Sequence, residues 1–315
     1  MYPGTDAFML GGTQDNGTLR SDNGEPDFEL VLYGDGGHGY IHPTKPNVMY
    51  TTQERLKLWR SEDFGRTWSW AIGDLPNENS LFYVPYVMDF DNPDVLYLGT
   101  YRLYRTSNAG WSWTQLQACP FQAETGGCYY ITAISMAPYD HRIVLAGAPG
   151  HVGISTDEGR TWYINKGQLP IASCSSVRTF TPGVLYATFS RYVIDKVWKS
   201  TDAGRNWVSI TGDLPDIPVN DIVELDGTLI IGTNLGTYIS ADGGATWQRL
   251  TNGMPTVAVF RLRFQEETGV LRAVTHGRGI YDLQWRTPET QAPEFVSRPD
   301  TSTLHMSQPF VYAPV

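Results

Sequence analysis

Positive charge is scarce in this sequence of 315 residues. It contains 23 Lys and Arg against 33 Asp and Glu, so its formal net charge is −10, and its isoelectric point is about 5.0. Nucleic acids and anionic membranes bind proteins through clustered Lys and Arg, which replace counterions. The acidic balance therefore argues against both partners. Apolar runs of about 20 residues are missing as well, so membrane insertion is not expected.

Several functional signatures are also missing. No segment shows helical periodicity with caps, and no glycine-rich piece has the strand–loop–helix context that nucleotide binding needs. A Ser-His-Asp arrangement for nucleophilic catalysis is not visible either. With neither a phosphate-binding loop nor a metal site in the sequence, we expect no cofactor. No signal peptide is recognisable at Met1, which leaves a cytoplasmic protein or a trimmed secreted one.

Cysteine is limited to three residues. Cys119 and Cys128 bracket the segment CPFQAETGGC, where a disulfide would pin a long surface loop and would suit an oxidising compartment. Cys174 is then left over, and three reduced thiols remain the alternative. Metal ligation is not expected, because no Cys-x-x-Cys pair or His cluster accompanies these residues.

What the sequence does contain is one phrase of nine residues, repeated five times. The copies are RSEDFGRTW (60–68), RTSNAGWSW (105–113), ISTDEGRTW (154–162), KSTDAGRNW (199–207) and ISADGGATW (239–247). The closing tryptophans are separated by 40 to 49 residues, the period of four-stranded propeller blades. Short runs rich in Val, Ile, Tyr, Phe and Trp, broken by Gly, Pro, Asn and Asp, surround each copy and read as strands. We therefore predict an all-β, seven-bladed propeller of four-stranded antiparallel blades, with six blades as the alternative.

The phrase is interpreted as a structural turn between the third and fourth strands. Its Asp can accept hydrogen bonds from backbone N–H groups of the turn, its Gly can take a positive φ, and its Trp can fill the cleft between blades. The residues with these roles are Asp63, Asn108, Asp157, Asp202 and Asp242, with Trp68, Trp113, Trp162, Trp207 and Trp247. We expect the phrase to stabilise each blade and to perform no chemistry.

The phrase resembles the Asp-box repeat, also called the BNR or sialidase-type repeat. Four copies match well, and one is degraded, with Asn108 in place of the Asp and Ser112 in place of the Thr. Such repeats occur in sialidases, in two-propeller xyloglucanases, in sortilin-like receptors and in many secreted bacterial proteins. The resemblance implies the propeller fold and an extracellular or cell-surface location in bacteria. It leaves the function open, because propellers host many functions.

The two ends of the chain supply the sixth and seventh units. The first unit lacks an inner strand and the last lacks an outer strand, and a ring must close to avoid exposed edges. We divide the chain into a propeller over residues 1–287 and a Pro-rich tail over 288–315, whose segments APEFVS and QPFVYAPV are predicted to fill the missing strands. The alternative is that the chain is the carboxyl-terminal part of a longer multi-domain protein.

A ligand site is expected on the face that carries the turns between second and third strands and the connections between blades. We call this the funnel face. Aligning the units places there a set of polar and aromatic residues that suit sugar binding, because rings stack on pyranoses and charged groups bind hydroxyls or carboxylates. Its candidate ligand-binding members are Arg55, Tyr101, Arg102, His151, Arg191, Tyr192, Asn234, His276 and Arg278. The alternative for each of these residues is that it is a solvated surface side chain without a role in ligand binding.

Two enzyme hypotheses follow from the resemblance. Sialidases need an early Arg-Ile-Pro signature, which is absent, and FRLRF at 260–264 comes late and lacks the Pro, so sialidase activity is disfavoured. The second hypothesis is an inverting endo-glycanase similar to the xyloglucanases. The segment TQDNGTLR at 13–20 partly matches their catalytic turn and makes Asp15 the candidate base. Their general acid comes from a second propeller, so here Asp35 or Glu54 would have to replace it.

The favoured hypothesis is binding without catalysis by this chain alone. The ligand would be a glycan or polysaccharide, or a protein as in sortilin-like receptors, held on the funnel face. A carboxylate pair with a raised pKa would favour an enzyme. A channel filled by side chains would favour a protein partner on the rim.

Overall fold

The computed structural model describes residues 8–22, 27–165, 167–250, 253–285 and 295–296. Within them the chain forms only strands, which pair in seven antiparallel sheets. The fold is a seven-bladed propeller, which confirms the prediction and excludes six blades. No helix in the described part has the length and apolar character needed to cross a membrane.

Each blade is one sheet built from consecutive strands. Blade 1 contains β1 (Met9–Thr13), β2 (Gly17–Ser21) and β3 (Glu29–Leu32). Blade 2 contains β4 (Gly36–Ile41), β5 (Met49–Gln53), β6 (Lys57–Ser61) and β7 (Ser69–Trp70). Blade 3 contains β8 (Tyr86–Met88), β9 (Leu96–Gly99), β10 (Leu103–Thr106) and β11 (Thr114–Gln117). Blade 4 contains β12 (Ala133–Ala137), β13 (Asp140–Ala148), β14 (His151–Ser155) and β15 (Tyr163–Ile164).

The remaining blades repeat the same order. Blade 5 contains β16 (Cys174–Thr181), β17 (Val184–Phe189), β18 (Val197–Ser200) and β19 (Val208–Ser209). Blade 6 contains β20 (Val219–Leu225), β21 (Thr228–Thr233), β22 (Gly236–Ser240) and β23 (Gln248–Leu250). Blade 7 contains β24 (Val259–Gln265), β25 (Val270–Thr275), β26 (Ile280–Gln284) and β27 (Phe295–Val296).

The two incomplete units differ in what the described residues contribute. Blade 1 has three strands there, and β1 lies against β4 of the next blade. In blade 7 the short strand β27 pairs with β26, placing Phe295 opposite Leu283. The rest of the tail, including QPFVYAPV, lies outside the described residues, so its part in closing the ring stays a prediction.

Blade-to-blade packing forms the core. One apolar cluster joins Tyr50 and Leu58 of blade 2 to Tyr86 and Leu96 of blade 3, all at most 2% exposed. Similar clusters fill the spaces between later blades. Burial of large apolar side chains between sheets supplies the main favourable term for this fold.

The five repeated turns share one hydrogen-bond network. In the copy at 199–207, Ser200 Oγ donates to Asp202 Oδ1 at 2.8 Å and accepts from the Gly204 N–H at 2.9 Å. The Asn206 backbone and side-chain N–H groups donate to the two Asp202 oxygens at 2.8 and 2.7 Å. Hydrogen bonds from the residue four positions later lower the pKa to about 2 in all four Asp copies. Asn108 of the degraded copy makes equivalent contacts with Thr106 and Ser112.

The tryptophans of these turns connect neighbouring blades. Trp113, Trp207 and Trp247 are buried, at 6 to 9% exposure, while Trp68 and Trp162 are half-buried. The Trp113 indole N–H donates to the Ala71 carbonyl of blade 2 at 3.1 Å. The turn also needs close backbone approach, because a Cβ on Gly110 would lie 2.2 Å from that same oxygen. These turns lie on the face opposite the funnel face, so the repeat serves the architecture.

Candidate functional site

The three candidate carboxylates gather on the funnel face at blades 1 and 2. Asp15 lies in the turn between β1 and β2, exposed and with a φ of 65°. Its backbone N–H donates to Asp35 Oδ1 at 2.7 Å. Glu54, in the turn between β5 and β6, forms an ion pair with Lys57. The pKa of the half-buried Tyr83 is raised, chiefly by burial and then by the negative charges of Asp35, Asp15 and Glu54. All three carboxylates therefore act on one tyrosine.

The charge state of Glu54 limits its chemistry. Burial alone would raise the pKa of this carboxyl, but the hydrogen bond and charge of Lys57, together with backbone N–H donors, outweigh burial and leave the pKa below its ordinary value. A carboxylate that is ionised at neutral pH suits a base or a hydrogen-bond acceptor. It does not suit a general acid, which needs a raised pKa.

An open groove of about 610 Å³ adjoins this carboxylate cluster. It lies between the turn after β5, the loop after β7 and the turn after β9. Its lining is mostly polar and consists of Arg55, Leu56, Lys57, Asn77, Glu78, Asn79, Ser80 and Tyr101. A volume of this size accommodates a small-molecule ligand or a few sugar residues. Two of the predicted ligand-binding residues, Arg55 and Tyr101, thus share one concave surface.

Glu78 organises the blade 3 side of the groove. Its buried carboxylate accepts from Arg102 Nη1 at 2.7 Å, from the Tyr104 hydroxyl at 3.2 Å and from the Thr100 hydroxyl. The Arg102 guanidinium in turn lies 4.8 Å from the centroid of the Tyr101 ring. Tyr130 approaches the same ring edge-on, with 6.2 Å between centroids. This network holds Tyr101 in place before any ligand arrives. Glu78 was not predicted from the sequence, since its loop belongs to no repeated pattern.

The remaining predicted residues are distributed over blades 4 to 7, on the same face. His151 packs between Phe121 and Tyr129 at 5.9 and 5.8 Å between ring centroids. Its Nδ1 lies 2.7 Å from the Pro149 carbonyl oxygen. This histidine supports the neighbouring loop, in which Cys119 and Cys128 form a disulfide.

Arg191, Asn234 and His276 make mainly local contacts. Arg191 Nη1 donates to the Ile171 carbonyl at 3.1 Å. Asn234 accepts from Asn220 at 3.0 Å, and His276 stacks on Phe260 with 5.1 Å between ring centroids. Tyr192 and Arg278 are exposed. The structure therefore does not bring these residues into the groove of blades 2 and 3.

The loops of blades 5 and 6 on the funnel face expose apolar side chains, and we call this part of the face the rim. Val193 is 86% exposed, Tyr192 and Ile171 are each 54% exposed, and Leu235 is 44% exposed. They lie in the turns after β17 and β21 and in the loop before β16. Exposed apolar groups that cluster on one rim are typical of contact surfaces.

The central channel holds a charged cluster that was not predicted from the sequence. Arg178 of blade 5 and Arg263 of blade 7 both pair with Asp221 of blade 6, at 3.1 and 3.3 Å. Arg261 and His38 approach each other at 3.4 Å beside them. The signal was present as the alternating arginines of RLR at 261–263, whose period of two sends both side chains to one face of β24.

Three potential metal ligands also approach one another, on the face opposite the funnel face. Atoms of Asp89, Asp91 and His141 lie within 4.8 Å of one another. His141 Nδ1 is 3.3 Å from a carboxylate oxygen of each aspartate. These contacts lie within ion-pair distance, so the three side chains already contact one another directly.

Comparison with known proteins shows the fold. No family model matches the chain, and no curated protein matches its sequence. Among solved structures, the GH74 xyloglucanase of Xanthomonas campestris superimposes with a TM-score of 0.73 at 17% identity, covering 94% of this chain and 53% of that one. The GH74 enzyme of Niastella koreensis gives 0.67 at 17% identity, with the same coverage. The chain thus spans about half the length of these enzymes.

A second group of similar structures has the length of this chain. YCF48 from Cyanidioschyzon merolae superimposes with a TM-score of 0.60 at 14% identity, covering 87% of this chain and 94% of that one. A structure of YCF48 bound to a D1 peptide gives 0.59 at 11% identity, with coverages of 92% and 86%. Identities this low establish the propeller and leave the function to the site.

Proposed function

We propose that this chain is a glycan-binding propeller that acts through the groove of blades 2 and 3 and does not hydrolyse its ligand alone. We also propose that its five turns are Asp-box repeats and that the protein works outside a bacterial cell, for which the disulfide between Cys119 and Cys128 gives support. The observation that carries the function is the fixed Tyr101 ring on the wall of an open polar groove.

The groove offers both kinds of contact that a sugar chain requires. The Tyr101 face can cover the apolar side of a pyranose ring, and Tyr130 backs it. Arg55, Lys57 and Asn77 supply donors for hydroxyl groups along the same wall. A ring that is already held by its neighbours loses little side-chain entropy on binding, which favours affinity.

Binding is favoured over hydrolysis by the lowered pKa of Glu54, the candidate acid that pairs with Lys57. An inverting glycanase needs a protonated acid on one side of the bond and a base on the other. Lys57 holds Glu54 below its ordinary pKa, so this residue does not supply the acid. The solved xyloglucanases are about twice as long as this chain, which leaves room in them for a second half of a site.

Affinity electrophoresis through gels containing soluble polysaccharides tests this proposal. We expect one or more of xyloglucan, other β-glucans or xylan to retard the wild-type protein. The substitution Tyr101→Ala should weaken retardation roughly 10-fold, because aromatic stacking contributes about 1–3 kcal/mol. Tyr163→Ala is the matched control, since Tyr163 lies on the outer strand β15 and is 46% exposed. Equal retardation of both variants, or none of the wild type by any polymer, would contradict the proposal.

A protein partner is the second candidate function, and it rests on the apolar rim. Val193, Tyr192 and Leu235 expose large apolar areas, and one similar propeller is seen with a bound peptide. A peptide-array screen with the wild type and with Leu235→Asp tests this alternative. Peptide binding that Leu235→Asp abolishes and Tyr101→Ala preserves would assign the partner to the rim.

A further inference from the structure

Positive charge exceeds negative charge within the central channel. Three guanidinium groups, those of Arg178, Arg261 and Arg263, surround the single carboxylate of Asp221, which is fully buried. Asp221 already accepts from Ser176 Oγ at 2.7 Å, from the Leu262 N–H at 3.1 Å and from two of the arginines. One carboxylate cannot balance three guanidinium groups, so two positive charges are left over.

Among the residues that the structure describes, no neighbouring group supplies the missing negative charge. His38 faces the three arginines, and burial, followed by Arg261 and Arg263, lowers its pKa to about 3, so it is neutral at physiological pH. Burial and then the nearby Arg178 lower the pKa of Arg263, which shows the mutual repulsion of the cluster. A buried charge without a counter-charge is strongly destabilising.

Arg261 has the weakest protein contacts of the three arginines. Its Nη1 lies 3.4 Å from the Ser175 carbonyl, and its Nη2 lies 3.4 Å from His38 Nε2. Both distances exceed those of ordinary N–H···O bonds. A half-buried guanidinium with five donors and two long contacts has capacity for a further acceptor.

A small cavity lies beside this guanidinium. It measures about 20 Å³ and is lined by His38, Tyr86, Ser175, Arg178, Arg261 and Arg263, among others. That volume is enough for one water-sized group. Three of the lining residues carry positive charge, so a monovalent anion is the occupant that the electrostatics favour over water.

We propose that the central channel is a binding site for a small monovalent anion, held by Arg261 together with Arg178 and Arg263. The ligand is either a free halide or one oxygen of a carboxylate that reaches the cavity from the funnel face, as on a uronic acid. The site does not depend on glycan recognition at the groove, and it shares no lining residue with that groove.

Thermal unfolding in a zwitterionic buffer without other anions tests the proposal. We expect 100 mM sodium chloride to raise the Tm of the wild type about 2 °C more than that of Arg261→Gln, as for a ligand at roughly ten times its Kd. Arg160→Gln is the matched control: it removes the same charge from a side chain that is 71% exposed, and it should respond as the wild type does. Sodium glucuronate in place of chloride distinguishes the two ligand sources. A shift with both salts assigns a carboxylate-accessible site, and a shift with chloride alone assigns a halide site.

Chloride-35 NMR of the wild type gives a readout that does not depend on stability. Chloride binding should make the line measured with the wild type much broader than the line measured with Arg261→Gln. If Arg261→Gln does not fold, Arg263→Gln takes its place in this comparison. The proposal is overturned if chloride and glucuronate shift the Tm of the wild type no more than that of Arg261→Gln. It is equally overturned if the wild type produces no excess line width.

Discussion

Replacing Asp221 by Asn removes the carboxylate that opposes the three channel arginines. In the wild type, the carboxylate oxygens accept hydrogen bonds from Leu262 N–H, Arg178 and Arg263. The Asn side chain has the same shape, but its NH₂ group would face these donors. The variant therefore loses a charge and also creates donor-to-donor contacts. Asp195→Asn makes the same chemical change at an exposed position and is the control.

The expected loss of stability in Asp221→Asn follows from the burial of the Asp221 carboxylate. Removing one partner from a buried ion pair costs about 3–5 kcal/mol, and Asn retains some acceptor capacity, so we expect about 3 kcal/mol. With an unfolding entropy of about 2.1 cal/mol/K per residue, this corresponds to a decrease of about 5 °C in Tm. Differential scanning calorimetry at pH 7 measures it, and Asp195→Asn should change Tm by less than about 1 °C.

The pH dependence tests the cause. The arginines hold the pKa of Asp221 well below its ordinary value although burial opposes this. A carboxyl with a depressed folded-state pKa stabilises the protein above the unfolded-state pKa of about 3.9, and that stability is lost as the pH falls below it. The difference in the free energy of unfolding between the wild type and Asp221→Asn should therefore decrease by about 1 kcal/mol when the pH is lowered from 7 to 3. A difference that stays constant over this range, or a change at pH 7 as small as that of the control, would show that Asp221 does not balance the channel arginines.

One thiol reaction and two pairs of substitutions test the fold. Burial raises the pKa of the Cys174 thiol to about 12, so Ellman's reagent at pH 8 should find no reactive thiol in the native protein and one after unfolding. Gly110→Ala should destabilise by several kcal/mol more than Gly126→Ala by urea unfolding, since both have a positive φ but only a Cβ on Gly110 meets backbone, at 2.2 Å. Trp207→Ala should cost about 3–5 kcal/mol, because its side chain is 6% exposed, and Trp111→Ala, at 72% exposure, should cost less than about 1 kcal/mol.

The architecture was predictable because its signal is local and repeated. The hydrogen bonds of the Asp202 carboxylate and the Ser200 hydroxyl join residues within five positions of Asp202, so the nine-residue phrase largely explains its own conformation. Alternation of strand direction then assigned each turn to a face. That reasoning placed Asp15, Asp35 and Glu54 on one face, where the structure brings all three near Tyr83.

The parts of the site that were missed depend on contacts between distant segments. Glu78 is 24 residues from Arg102 and becomes important only when the loop after β7 folds over blade 3. The channel cluster joins Arg178, Asp221 and Arg263 from three blades. Composition and spacing do not report which inward-facing residues meet across a channel, because that depends on the radius of the ring and on its closure.

Binding and the absence of hydrolysis can be tested in one experiment. A panel of soluble polysaccharides is incubated with the wild type and with Asp15→Ala, and bound protein and released reducing ends are measured in the same samples. We expect at least one polymer to bind both proteins, and we expect neither protein to release reducing ends above background. Release by the wild type that Asp15→Ala abolishes would contradict binding without hydrolysis and would make this single propeller a glycanase with Asp15 in its catalytic machinery.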